Sequence, residues 1–134
     1  MEIQIIKRDA WSDMGKRVLA AGVFDLLHYG HLRYLEEAKK LGGKDAELIV
    51  VVARDSTVLK RKGRLPVMNE VHRKALVAAL KPVDKVILGG VDLNTTKVIQ
   101  KVKPDIIALG YDQGDIAELI AMQGGKGKVV RLKR

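Results

Sequence analysis

A doubly wound α/β domain, a five-stranded parallel sheet with helices on both faces, is the fold class this sequence predicts, and three observations predict it. Five short runs are aliphatic or β-branched, amphipathic helical patterns separate them, and the runs are nearly continuous in their apolarity, as strands buried on both faces are. The 134 residues suit one domain with one core, so 1–134 is read as a single domain.

Taken in order, residues 1–15 read as a short strand or an arm. RVLAAG (Arg17–Gly22) is the first strand of the domain. After it Leu32, Leu35, Ala38 and Leu41 recur at helical spacing until Gly42-Gly43 stops them. ELIVVVA (Glu47–Ala53) is the second strand, and the basic stretch LKRKGRLP (Leu59–Pro66) follows it. The plain reading of that stretch is a solvated charge run. Asn69-Glu70 starts the next helix, with Val71, Ala75, Ala79 and Leu80 as its apolar positions. KVILGG (Lys85–Gly90) is the third strand, and a helix carrying Val98, Ile99 and Val102 follows Asn94. DIIALG (Asp105–Gly110) is the fourth, then a helix with Ile116, Leu119 and Ile120 after Asp115, and KVVRL (Lys128–Leu132) the fifth. Parallel strands joined in this way need right-handed crossovers.

Composition removes several classes of function. With no cysteine there is no disulfide, thiolate metal site or cysteine nucleophile, and a reducing, cytoplasmic location is expected. No apolar run approaches a membrane span, and the polar, acidic N-terminus is no signal peptide. A net charge of +9 calls for an anionic partner. One Phe, one Trp and three Tyr make too sparse a stacking platform for nucleic acid, so the expected anion is a small phosphorylated ligand.

In doubly wound sheets ligands bind beyond the carboxyl ends of the strands where the winding reverses. If the first strand is central and borders the fourth, the turns concerned are GVFDLLHYGH (Gly22–His31) and GYDQGD (Gly110–Asp115). Gly22 ends the strand and Gly30 lies just before the helix, so a ligand can approach the backbone closely at both. The helix N-terminus offers N–H groups and a positive dipole end to a phosphate. His31 in the first turn adds a donor, and His28 faces the same space. The plainer alternative is that one histidine caps the helix and the other packs. A metal trio of Asp25, His28 and His31 is a further alternative, but the H-E-x-x-H signature is absent. Mg²⁺ held mostly by substrate phosphates needs few protein ligands, and no protein metal site is assigned.

GVFDLLHYGH resembles the G-x-F-D-x-x-H-x-G-H signature of the cytidylyltransferase-like nucleotidyltransferases at every fixed position. The resemblance implies a Rossmann-like nucleotidyltransferase fold and the joining of a nucleoside monophosphate to a phosphorylated acceptor with release of pyrophosphate. It implies that His28 and His31 are catalytic, contacting the nucleotide phosphates and stabilising the transition state. Gly22, Val23, Phe24, Asp25, Tyr29, Gly30 and Asp112 form the implied nucleotide-binding set, with Asp25 ordering the turn or placing a metal. Asp112 contacts ribose or base, or else caps the following helix. Lys60 and Lys62 are implied to hold phosphates, and Arg73 to bind phosphate or anchor its loop, while His72 reads as structural or exposed.

More narrowly, VVARDSTVLKRKGRLPVMNEVHRKALVAALKPVDKVILGG and KPDIIALGYDQ are similar to the archaeal FAD synthases, with the likeness running from Lys16 to Arg131. This implies ATP and FMN as substrates, a divalent cation (Mg²⁺ or similar) accompanying ATP, and a homodimer as the candidate assembly. A CTP-dependent enzyme acting on glycerol 3-phosphate or a similar alcohol is the alternative, and a silent nucleotide or nucleic-acid binder the third reading. Many cytidylyltransferases carry an R-T-x-G-I-S-T-T segment after the fifth strand, where this chain has GKVVRLKR. The expectation is that Arg131, Lys133 and Arg134 replace it in part, that a partner subunit does, or that activity is altered.

Overall fold

Each of the five apolar runs is a strand of one sheet. The computed structural model describes residues 3–5, 16–89, 101–110 and 128–132. Its strands are β1 (Ile3–Ile5), β2 (Arg17–Gly22), β3 (Glu47–Val52), β4 (Lys85–Leu88), β5 (Ile106–Leu109) and β6 (Lys128–Leu132), and its helices are α1 (Tyr29–Leu41), α2 (Asp55–Lys62) and α3 (Glu70–Ala78). The sheet order is β1-β6-β5-β2-β3-β4. The first predicted strand, β2, is therefore central, parallel to β3 on one side and to the fourth predicted strand, β5, on the other. The winding reverses at β2 and β5, so the condition that selects the two site turns is met. The N-terminal segment adds a sixth strand, since β1 runs antiparallel to β6 with Ile3 opposite Leu132. Three residues carry too little periodicity to have decided between strand and arm.

Successive residues of a strand point to opposite faces, and two apolar layers result. Val18, Ala20, Leu48, Val50, Val52, Ile106 and Ala108 pack with Phe24, Leu35 and Ala38 on one side. Leu19, Ile49, Ile107, Leu109 and Val129 pack with Val102 on the other. Burying Leu35 and Ala38 seats α1 on the sheet, and truncating a residue as enclosed as Leu35 to Ala costs about 2–5 kcal/mol.

Three expectations need correction. The stretch after β3 is a helix as far as Lys62: α2 buries only Thr57 and Val58, too little to show as an amphipathic pattern. It ends at Gly63, whose φ of 74° suits glycine. In α3 the buried positions are Arg73 and Val77, whereas Val71 is 67% exposed, because the hydrogen bonds of Arg73 turn its side of the helix inward. Gly30 lies inside the first turn of α1, not before it. Lys101 and Val102 are helical, but the rest of the helix expected around Val98 and Ile99, and the one expected around Ile116, lie outside the described residues.

Candidate active site

The sheet forks at the predicted switch point. β2 pairs with β5 as far as Ala20 opposite Ala108. β2 stays with β3 to Gly22 opposite Val52, and β5 stays with β6 to Leu109 opposite Arg131. A crevice opens where the carboxyl ends of β2 and β5 part, and the chain leaving β2 is tied to the far side of it, with Gly22 O accepting the Ala53 N–H and Val23 O accepting from Arg73. In that turn Phe24 has φ +54°, a left-handed conformation costing a non-glycine residue about 1–2 kcal/mol. Its ring is buried, which offsets the strain, and it folds back over Gly22. A Cβ on Gly22 would lie 2.9 Å from the Phe24 ring, so a side chain there is excluded by the packing of the turn.

Both histidines are at the start of α1 and are spent on each other's backbone. His28 is the N-cap, and its Nδ1 accepts the Gly30 N–H at 3.0 Å. His31 Nδ1 accepts the His28 N–H at 3.1 Å. This is a capping box with imidazoles in place of the usual hydroxyl and carboxyl. The rings stack with centroids 4.0 Å apart, and the Phe24 ring lies 5.5 Å from that of His31. Gly30 is what permits this arrangement, because a Cβ there would stand 2.7 Å from His28 Cε1. A backbone N–H can only donate, so in both rings Nδ1 presents a lone pair. The hydrogen bonds thereby assign the proton of each neutral ring to Nε2, which becomes a donor. The sequence alternatives of capping and ligand binding are thus not exclusive: one nitrogen of each ring caps, and the other is a donor. No acidic side chain sits in the first turn of α1, so the positive helix end is not offset locally.

A clasp holds the turn against the next two helices. Asp25 accepts the N–H groups of Val67 and Met68, each at 2.8 Å. Burial alone would raise its carboxyl pKa, but the N–H donors of Met68 and Val67, with the charges of Arg73 and Lys62, outweigh it and hold the pKa below the ordinary value. Arg73 has no exposed surface. It donates to the carbonyls of Met68 (2.8 Å), Val23 (2.8 Å) and Ala53 (2.7 Å) and to Asp55 Oδ1 (2.6 Å). Of the two roles expected for Arg73, the geometry gives it the anchoring one, since a fully enclosed guanidinium has no face for a phosphate. Glu70 completes the clasp by accepting the Asp55 N–H at 2.9 Å, which caps α2, and Arg54 Nη1 at 3.5 Å.

The remaining candidates fall into place around this frame. Lys62 is near enough to Asp25 for its charge to act on the carboxyl, and Lys60 shares its helix turn, exposed. Tyr29 opens α1 and is 72% exposed. His72 is exposed on α3. Asp112, with Tyr111, Asp115, Lys133 and Arg134, lies outside the described residues. Among the described residues no group of three or more His, Asp or Glu is placed to hold a metal ion, and both Asp25 oxygens are occupied by N–H donors, so the metal trio is not formed. Sequence reasoning missed Tyr34 and Asp55. Tyr34 sits on the buried stripe of α1 and reads as core, and Asp55 reads as a turn residue. Nor is any helix among the described residues long and apolar enough to cross a membrane.

The turn, the histidine pair and the fork all fall within residues 19–124, which match the family model for cytidylyltransferase-like domains. The chain belongs to the cytidylyltransferase-like family. Within it, a protein named FAD synthase from Methanobrevibacter smithii is 52% identical over 122 residues, covering 88% of this chain and 79% of that one. A protein of the same name from Methanopyrus kandleri is 57% identical over 106 residues, covering 78% and 68%. Among solved structures, one described as the lipopolysaccharide core biosynthesis protein from Thermoplasma volcanium superposes with a TM-score of 0.75 at 48% identity, over 87% of this chain and 95% of that one. That superposition spans the fold on which the fork and its turn are built.

Proposed function

We propose that this chain transfers the adenylyl group of ATP to FMN, giving FAD and pyrophosphate. The observation that carries the chemistry is the pair of Nε2–H donors held at a helix N-terminus beside a forked sheet, and the FAD synthases about half identical over most of the chain support the choice of substrates.

An oxygen of the FMN phosphate attacks the α-phosphorus of ATP in line. A new P–O bond forms, the bond from the α-phosphorus to the oxygen bridging to the β-phosphate breaks, and pyrophosphate leaves with that electron pair. The attacking phosphate is already ionised, so no strong base is required. Positioning and electrostatic stabilisation carry the rate. His28 and His31 donate from Nε2 to phosphoryl oxygens as negative charge grows on them, and they need no proton transfer to do so. The N-terminus of α1 adds its positive end, and Lys60 and Lys62 hold phosphates from the far side. Gly22, Val23, Phe24 and Gly30 supply the close-packed floor, Asp25 keeps the turn tied to α3, and Tyr29 lies on the exposed rim. Asp112 is assigned to ribose or base on family resemblance. The donor set does not suit a cation held by protein side chains, so the divalent ion, Mg²⁺ or similar, enters on the phosphates of ATP as part of the substrate. The proposed assembly is a homodimer, which sedimentation velocity at micromolar concentration decides.

The deciding experiment crosses ATP and CTP with FMN and glycerol 3-phosphate, and follows pyrophosphate release and adduct mass for the wild type, His28→Ala and His31→Ala. FAD from ATP and FMN, with turnover lowered by two or more orders of magnitude in both variants, is expected. A cytidylyl adduct would overturn the substrates, and fully active variants would overturn the site.

A further inference from the structure

At the fork, the hydroxyl of Tyr34 does what the β2–β5 ladder has stopped doing. It donates to the Ala108 carbonyl at 2.8 Å and accepts the Ala21 N–H at 3.3 Å, with the Ala21 carbonyl 3.5 Å away. Ala108 is the last residue of β5 to pair with β2, and Ala21 is the first residue of β2 beyond that pairing. One hydroxyl from α1 therefore spans both strands where they part. The same side chain reaches the reacting groups by its ring, which stacks on Phe24 at 6.5 Å and 16°. Phe24 in turn touches the His31 ring.

We propose that Tyr34 is a positioning residue: it sets the width of the crevice through its hydroxyl and the placement of His31 through Phe24. This rests on the reading of His31 as a hydrogen-bond donor to phosphate. Three features argue against a role in packing alone. An apolar residue would fill the same space on α1 without spending a hydroxyl on two strands. The bridge sits where the β2–β5 ladder ends, one residue past Ala20 opposite Ala108. And the left-handed Phe24, a strained residue, has both the Tyr34 ring and the His31 imidazole against its own ring. Catalytic geometry of this kind is sensitive, since a displacement of about 1 Å can lower a rate by two orders of magnitude.

The test pairs Tyr34→Phe, which keeps the ring and removes the bridge, with Arg17→Ala. Arg17 links strands at the opposite end of the sheet, donating to Val102 O at 2.7 Å and to Glu47 at 3.0 Å, and has no part in the site. Melting temperature, kcat, KM for ATP and the ¹⁵N resonances of the His31 ring are measured for both, with FMN as acceptor. Tyr34→Phe is expected to lower kcat about tenfold or more, with KM for ATP changed less than about threefold, and to shift the His31 resonances. Arg17→Ala is expected to lose comparable thermal stability with kcat within about twofold of wild type and unmoved His31 resonances. A Tyr34→Phe enzyme with kcat within twofold of wild type, a loss confined to KM, or an equal loss of kcat in Arg17→Ala would overturn the proposal. A His31→Ala enzyme with wild-type turnover, run alongside, would overturn the site reading itself and this extension with it.

Discussion

Replacing Gly30 by alanine separates stability from catalysis in one step. The new Cβ would stand 2.7 Å from His28 Cε1 and 3.0 Å from its Nδ1, so the ring must retreat by about 0.7 Å to reach ordinary contact. That movement lengthens the 3.0 Å cap from Gly30 N–H to Nδ1, and loss of such a cap costs about 0.5–2 kcal/mol. Alanine inside a helix returns about 0.5–1 kcal/mol relative to glycine. The two nearly cancel, so melting should move by only a few degrees. Catalysis has no such compensation. A donor displaced by close to an ångström is expected to lower kcat by roughly two orders of magnitude, about 2.7 kcal/mol of barrier. The assay is FAD formation from ATP and FMN, with a thermal melt on the same preparation. If Gly30→Ala turns over within threefold of wild type, or if it loses activity only because it has unfolded, the reasoning that the Nδ1 cap places the Nε2 donor of His28 is wrong.

Other perturbations test the clasp and the cationic rim. Arg73→Met leaves three carbonyls and the Asp55 carboxylate without their donor, and should cost about 3–5 kcal/mol, seen as a fall of roughly 10–20 °C in melting temperature. The Asp25 carboxyl is held below its ordinary value of 3.8, so the stability it contributes is fully present above that value and is lost as pH falls through the lower folded pKa. In Asp25→Asn that acid-limb dependence should vanish, which melting curves from pH 6 down to pH 2 on both proteins will check. Lys60→Ala and Lys62→Ala, at exposed positions, should leave melting within about a degree or two. They should raise KM for ATP or FMN several-fold, by a factor that shrinks as salt is added.

The sheet was readable because continuous aliphatic runs have few other uses in a chain of this charge, whereas the central place of Arg17–Gly22 was only a condition, since alternation of strand and helix does not fix strand order, and the structure meets it. The site turn was readable for a different reason: two histidines three apart with a glycine between them is a spacing with chemical content. What stayed hidden is instructive. Three apart is also the interval of a capping box, but the usual signature has Ser or Thr followed by Glu or Gln, so imidazoles concealed it. Arg73 looks in the sequence like any helical arginine, and only tertiary hydrogen bonds distinguish a buried clasp from a surface charge. DSTVLKRK has just two aliphatic residues, so α2 shows no amphipathic stripe and its second half reads as a charge run. Tyr34 falls on the same stripe as Leu35 and Ala38, where an aromatic ring is read as filling and its hydroxyl goes unnoticed.

The reciprocity of the two histidines bears on how such a motif can change over time. Because each imidazole steadies the peptide group next to the other, a lineage that loses one of them weakens the start of the helix and misplaces the survivor in the same event. A half-motif is therefore a poor stepping stone. Relatives should tend to keep both rings or abandon both together, and a protein designer wishing to move one must supply a new cap for the other.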